Sequence, residues 1–244
     1  NTTGIDNVAI GGDALKANTT AASNTAVGKS ALAANTTGDQ NTAMGQNSMD
    51  ANTTGRNNTS YGMSSLSANT TAAENCAVGV NALFGNTTGA ANTSLGTYSL
   101  QNNTTAANNT AVGYKALFAN TTGANNIGIG SSAGINVVTG GDNVFIGAFS
   151  GDNTTGSQNV LIGSSTSTSS AGGGNQIAIG QNVTGSGNGN FTFGDGTTDS
   201  NIAFGATSIT APSDIRLKED IQDEEVGLDF INDLRPVTFQ WKKE

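Results

Sequence analysis

The chain has 244 residues, a net charge of −9 and only 35% apolar residues, against roughly 45–50% in an ordinary globular domain, which excludes a conventional thick core. Charged residues at 11% and just 2 prolines set it apart from disordered chains, which are rich in both. The absence of His, the single Cys76 and nine scattered Lys and Arg residues exclude disulfide frameworks, Cys/His zinc sites and a phosphate-binding surface for DNA or RNA.

Asn-Thr-Thr opens the chain at Asn1 and returns at Asn18, Asn35, Asn52, Asn69, Asn86, Asn103 and Asn120, a spacing of 17 residues throughout. Fixed self-similarity of this kind marks a solenoid or related array. The sequence begins inside a repeat and without an initiating Met, so it is read as a segment of a longer protein. Further into each copy, always at the same offset, stands Gly11, Gly28, Gly45, Gly62, Gly79, Gly96, Gly113 and Gly130, which predicts a backbone corner where a Cβ is unwelcome.

Ahead of each Gly lies an alternating triplet, such as Val8-Ala9-Ile10 or Thr110-Ala111-Val112, with the larger aliphatic mostly in third place. This is a short strand, and its third residue is expected inside. A second buried position follows four residues after the Gly, at Leu15, Leu32, Met49, Leu66, Leu83, Leu100 and Leu117, with a small residue before it. Each turn is thus expected to bury about two sizeable apolar residues. Cys76 fills a triplet position held elsewhere by Thr, Val or Ile and reads as a buried small residue.

Beyond Gly130 the period loosens, yet Asn/Gln-x-x-x-Gly recurs at Asn143, Asn159, Gln176, Asn190 and Asn201. Thirteen turns at about 4.8 Å each predict a rod on the order of 60 Å long. The division follows: 1–136 regular repeats, 137–212 an irregular continuation, 213–244 a separate module. A single roll has little interior, so self-association is expected, three rolls about an axis covering the Ala, Ser and Thr positions within and near the triplet.

The unit Asn109-Thr110-Ala111-Val112-Gly113-Tyr114-Lys115-Ala116-Leu117 resembles the head repeat of trimeric autotransporter adhesins. The resemblance implies an all-β fold, a parallel left-handed β-roll or β-solenoid with 17-residue turns, assembled as a homotrimer.

Each Asn-Thr-Thr is a formal glycosylation sequon, with a ninth at Asn153 and further sequons at Asn58, Asn92, Asn182 and Asn190. Two readings stay open. Either these Asn residues carry sugar, or Asn and Thr stack into hydrogen-bonded ladders along the rod. A flat ice-binding face is a weaker alternative, because such faces present Thr two residues apart and here the paired Thr are adjacent. Surface polysaccharide along the shaft is a further candidate, with Tyr61, Tyr98, Tyr114, Phe84 and Phe118 as stacking platforms. Asp6, Asp13, Asp39, Asp50, Glu74, Asp142 and Asp152 do not recur at one repeat position; they read as solvated charges, and neither a metal site nor a cofactor is expected.

At Ser213 the composition changes abruptly, because more than half of all the charged residues lie in 214–244. Glu224 to Leu234 reads as a short helix stopped by Pro236, and Val237, Phe239 and Trp241 alternate as a strand. Ser213-Asp214-Ile215-Arg216-Leu217-Lys218, with Ile221, Leu234-Arg235-Pro236 and Phe239-Gln240-Trp241, resembles the opening of the endosialidase-type intramolecular chaperone of phage fibres. That resemblance implies a segment that trimerises the fibre and releases itself by a cut between Ser213 and Asp214, with Ser213 as nucleophile and Lys218 as base. The whole reads as a fibre or adhesin shaft, a virion tail fibre or spike with a bacterial cell-surface adhesin as the alternative, extracellular and supporting host attachment, with neither nucleic acid nor membrane insertion. A polysaccharide-degrading fibre with its catalytic domain elsewhere is the enzymatic rival.

Overall fold

The computed structural model describes residues 2–206, all within one compact unit. Thirteen short strands form one sheet in sequence order, β1 (Val8–Ile10) to β13 (Ser200–Ala203). The first twelve pair in parallel, so the chain is a β-solenoid of eleven successive turns. Eight turns of 17 residues run from β1 to β9 (Val144–Ile146), as Val8↔Thr25 through Ile127↔Val144 set the register. The next turn, to β10 (Val160–Ile162), is one residue shorter, with Val144 beside Val160. The turn to β11 (Ile177–Gly180) restores the full period, and the last, to β12 (Asn190–Gly194), is shorter by three, with Ile177 beside Phe191. The expected thirteenth turn is instead an antiparallel hairpin: β13 folds back on β12, pairing Asn190 with Ala203.

The Gly column makes the corners. From Gly11 to Gly130 the eight glycines have φ between +123° and +145°, and a Cβ on any of them would lie 2.4–2.7 Å from the carbonyl of the glycine one turn on. No other residue combines that backbone with that approach. The Leu column sits in the left-handed region too, with φ of 46° to 54° from Leu15 to Leu117. That conformation costs a residue with a Cβ roughly 1–2 kcal/mol. Complete burial of the side chain, worth about 1.5–3 kcal/mol, offsets it; Leu32, Met49, Leu66, Leu83, Leu100 and Leu117 are all 0% exposed.

One expectation is reversed. From β2 onward the middle residue of each regular triplet is the buried one, and the first and third face outward: β2 (Thr25–Val27), β3 (Thr42–Met44) and β7 (Thr110–Val112) all bury their central Ala, whereas β1, at the open end of the roll, is exposed throughout. Adjacent strand residues point to opposite faces, and the roll is too narrow to hold two large side chains on one side. Each regular turn therefore buries one large apolar residue, not two, and the Ala and Ser positions line the interior instead of an outer face.

The interior is tuned locally. Where the strand centre is Ser60 or Ser94, the small residue before the Leu is also Ser, and the hydroxyls pair at 2.5 Å as Ser60–Ser65 and Ser94–Ser99. Where it is Phe145, the Leu-column positions on either side become Gly134 and Gly151, and a Cβ at these would meet the Phe145 ring at 2.6 and 2.3 Å. Phe145→Ala is expected to lower stability by about 3–5 kcal/mol in urea unfolding, and Gly151→Leu to destabilise by steric conflict. The double variant recreates the Ala-plus-Leu pairing of the other turns and recovers part of the loss; a double variant at least as unstable as the summed singles contradicts this packing.

Candidate functional site

The sequon Asn residues lie inside the roll. Asn35, Asn52, Asn69, Asn86, Asn103 and Asn120 are 0% exposed, and Asn18 is 2% exposed. Each Nδ2 from Asn35 onward donates to Oδ1 of the Asn one turn earlier, as in Asn52 to Asn35 at 2.9 Å and Asn69 to Asn52 at 2.8 Å. The same nitrogen donates to the carbonyl three residues ahead, as in Asn52 to Gly55 at 3.0 Å and Asn69 to Ala72 at 3.1 Å. Both amide hydrogens are engaged, so a sugar on Nδ2 would displace one and find no space. The column ends where Val137 replaces Asn, which leaves Asn120 Oδ1 without a hydrogen-bond partner among the described residues. Asn153, by contrast, is exposed. Asn1 lies outside the described residues.

A second Asn column precedes the strands, from Asn7 to Asn159, and sequence reading treated it only as the start of a strand motif. Each Oδ1 accepts the backbone N–H of its counterpart one turn on, as in Asn58 to Asn41 at 3.0 Å and Asn92 to Asn75 at 3.0 Å. Its Nδ2 reaches a carbonyl almost a full turn ahead, Asn58 to Ala72 at 2.9 Å. The signal available was its strict return with the repeat. A third column is the first Thr of each Asn-Thr-Thr, whose Oγ1 donates to the next turn's carbonyl, Thr36 to Thr53 at 3.0 Å and Thr70 to Thr87 at 3.1 Å.

Outside, the first and third strand residues make an uncharged stripe along the sheet. Ile10, Tyr61, Leu95, Ile129, Ile146 and Ile179 stand in it as exposed apolar side chains. Thr occupies only the first of its two columns, so the face does not present paired hydroxyls. Cys76 also belongs here: it is half-buried on the outward side of β5 (Cys76–Val78), not in the interior as expected, and partial burial raises its thiol pKa.

Of the expected stacking residues, the fold gathers three. Tyr98, Tyr114 and Phe118 line a groove of about 380 Å³ with Gln101 and Lys115. Tyr61 lies apart, in β4 (Thr59–Tyr61) on the sheet face, and Phe84 is 40% exposed outside the groove. The carboxylates remain dispersed: Asp13 pairs with Lys16 at 3.2 Å, Asp39 accepts the Ala22 N–H at 2.7 Å and Asp142 accepts from Asn125 at 3.0 Å. Among the described residues no group of three or more potential ligands could hold a metal, and no helix is long and apolar enough to cross a membrane. At the terminal hairpin, Asp195 is held down to about 2 by the Thr197 hydroxyl, then by the N–H groups of Thr197 and Thr198.

Ser213 and Lys218, with the helix and strand expected after them, lie outside the described residues. Residues 213–244 match the family described as chaperone of endosialidase. No curated protein and no solved structure matches the chain. A β-solenoid followed by such a segment fits a phage-fibre type of protein equipped with an intramolecular chaperone.

Removal of one buried rung tests the ladders. Asn75→Ala strands the Asn92 N–H and is expected to cost about 1–3 kcal/mol, whereas exposed Asn153→Ala stays within about 0.5 kcal/mol; equal effects in chemical unfolding would contradict the assignment. In a glycosylating host, peptide mass mapping of the folded fraction is expected to find sugar at exposed sequons such as Asn153 and none at Asn35 to Asn120.

Proposed function

We propose that this chain is the shaft of an extracellular, homotrimeric virion fibre, a tail fibre or spike, that supports attachment to a host surface. The observation that carries the reading is the uncharged outward stripe, which runs without interruption across the parallel strands. Its third-residue column is apolar from Ile10 to Ile179, and an outward apolar column of this length on a thin roll calls for a cover. A surface that repeats about every 4.8 Å is matched best by another surface of the same period, which is another copy of the same rod. The number three comes from the chaperone resemblance.

In this reading residues 213–244 open the segment that sets three chains in register. That help has a physical reason, since parallel pairing over long sequence separations is slow and leaves sheet edges open to misassociation. Release follows by the chemistry of a Ser/Lys pair. A neutral Lys218 amine takes the Ser213 hydroxyl proton as the oxygen bonds to the Ser213 carbonyl carbon, the Ser213–Asp214 C–N bond breaks as that proton passes to the departing Asp214 nitrogen, and a β-lactone is left at Ser213. Water then opens the lactone, leaving Ser213 with its hydroxyl and a free carboxylate.

Native mass spectrometry of the intact chain, 24.3 kDa per copy, is expected to show three copies. Loss of residues 214–244 is expected in the wild type and not in Ser213→Ala or Lys218→Ala. Cys76 supplies an internal reporter: maleimide labelling is expected to be slow in the assembly and fast after dissociation. A monomer whose Cys76 reacts equally in both conditions overturns the trimeric shaft.

A further inference from the structure

The groove between two consecutive turns is built like a ligand site and is used by nothing described above. Tyr98 and Tyr114 meet edge to face, with centroids 6.1 Å apart at 72°. The Lys115 ammonium lies 5.3 Å from the Tyr114 ring centre and 5.4 Å from that of Phe118. Gln101 adds an amide to the same lining. Tyr114 is 49% exposed, so its ring presents itself to solvent instead of filling the interior.

Charge distinguishes this place from the rest of the rod. The protein carries −9 overall, yet Lys115 is the only charged residue between Asn75 and Gly141, a stretch of nearly four turns. Its ammonium has no hydrogen-bond or ion-pair partner among the described residues; two ring faces hold it in position. A cation in such a setting attracts an anion with little competition from neighbouring carboxylates. Aromatic rings offer flat apolar platforms, and an amide offers both a donor and an acceptor. The ligand that needs all three features is a sugar ring bearing a carboxylate: C–H faces on the rings, hydroxyls on Gln101, the acid on Lys115.

We infer that the Tyr98, Gln101, Tyr114, Lys115 and Phe118 groove is a binding site for an acidic saccharide, one carboxylate-bearing residue per copy of the chain. This rests on the host-attachment reading and gives that attachment a place on the shaft. Binding through one sugar is weak, and three copies on one fibre would raise it by multivalency.

The test is a glycan array carrying uronic-acid and nonulosonic-acid oligosaccharides beside their carboxyl-reduced counterparts, probed with the full-length chain. Oligomeric state is measured on the same samples by light scattering, so that failure of the shaft reading is seen separately from failure of the site. The wild type is expected to bind at least one acidic glycan and to lose at least tenfold on carboxyl reduction. Lys115→Gln, at a half-buried position, and Tyr114→Ala, at an exposed one, are expected to lose at least tenfold, and Phe84→Ala, an exposed aromatic outside both the groove and the outward stripe, to bind as wild type. Should Tyr114→Ala misfold, Lys115→Gln decides alone. No acidic glycan bound, equal binding of the reduced forms, or wild-type binding by Lys115→Gln would each overturn the proposal.

Discussion

The structure depends on one constraint: a closed turn of 17 residues surrounds an interior too narrow for water or for much hydrocarbon. Backbone groups at the corners cannot be solvated there, and an unpaired buried polar group costs more than a made hydrogen bond returns. The two Asn columns meet that demand. Each carboxamide offers donors and an acceptor together, so it can join the turn below to the turn above while also holding a carbonyl of its own turn. Ser or Thr lacks the second donor and Asp has none. The polar interior, unusual for a protein core, is the direct consequence of its width.

From that width the remaining features follow. Turns that stack closely at the corner exclude a Cβ, hence the glycines. One large side chain fits per turn, hence a single Leu column held in an unfavourable backbone conformation that its burial offsets. Phe145 is admitted at a strand centre because the Leu-column positions on either side of it shrink to Gly134 and Gly151. With little apolar area available inside, the aliphatic residues of the strands are left outside, where they need a partner. In the proposed fibre that outer face is where copies meet, and registering identical chains is the slow step that a dedicated C-terminal segment would serve.

Much of this was legible in the sequence because the repeat itself aligns like with like. Strand positions, the Gly corners, the Leu column and the parallel order all follow from residues that return once in every repeat. The facing of the strands did not, because a triplet is too short to carry a period: Thr-Ala-Val alternates equally well with either face inward, and size pointed the wrong way. The Asn-Thr-Thr motif was ambiguous because the same chemistry serves a sequon and a ladder; only burial separates them, and it places Asn35 to Asn120 inside and Asn153 outside. The groove was not legible, since it joins Tyr98 and Gln101 of one turn to Tyr114, Lys115 and Phe118 of the next, and that adjacency needs the lateral placement of each turn. The reversal at β13 was hidden because Asn201 to Gly205 keeps the strand motif while the chain changes direction.

The central claim is that the outward stripe is covered by further copies of the same rod. Small-angle X-ray scattering from the intact chain addresses it through the mass per unit length of the rod-like particle. One roll places a single repeat in about 4.8 Å of axis. The account predicts three times that linear mass, in a particle no longer than one solenoid with its C-terminal segment. A linear mass equal to a single roll would contradict it, and so would a particle lengthened by end-to-end joining at unchanged cross-section.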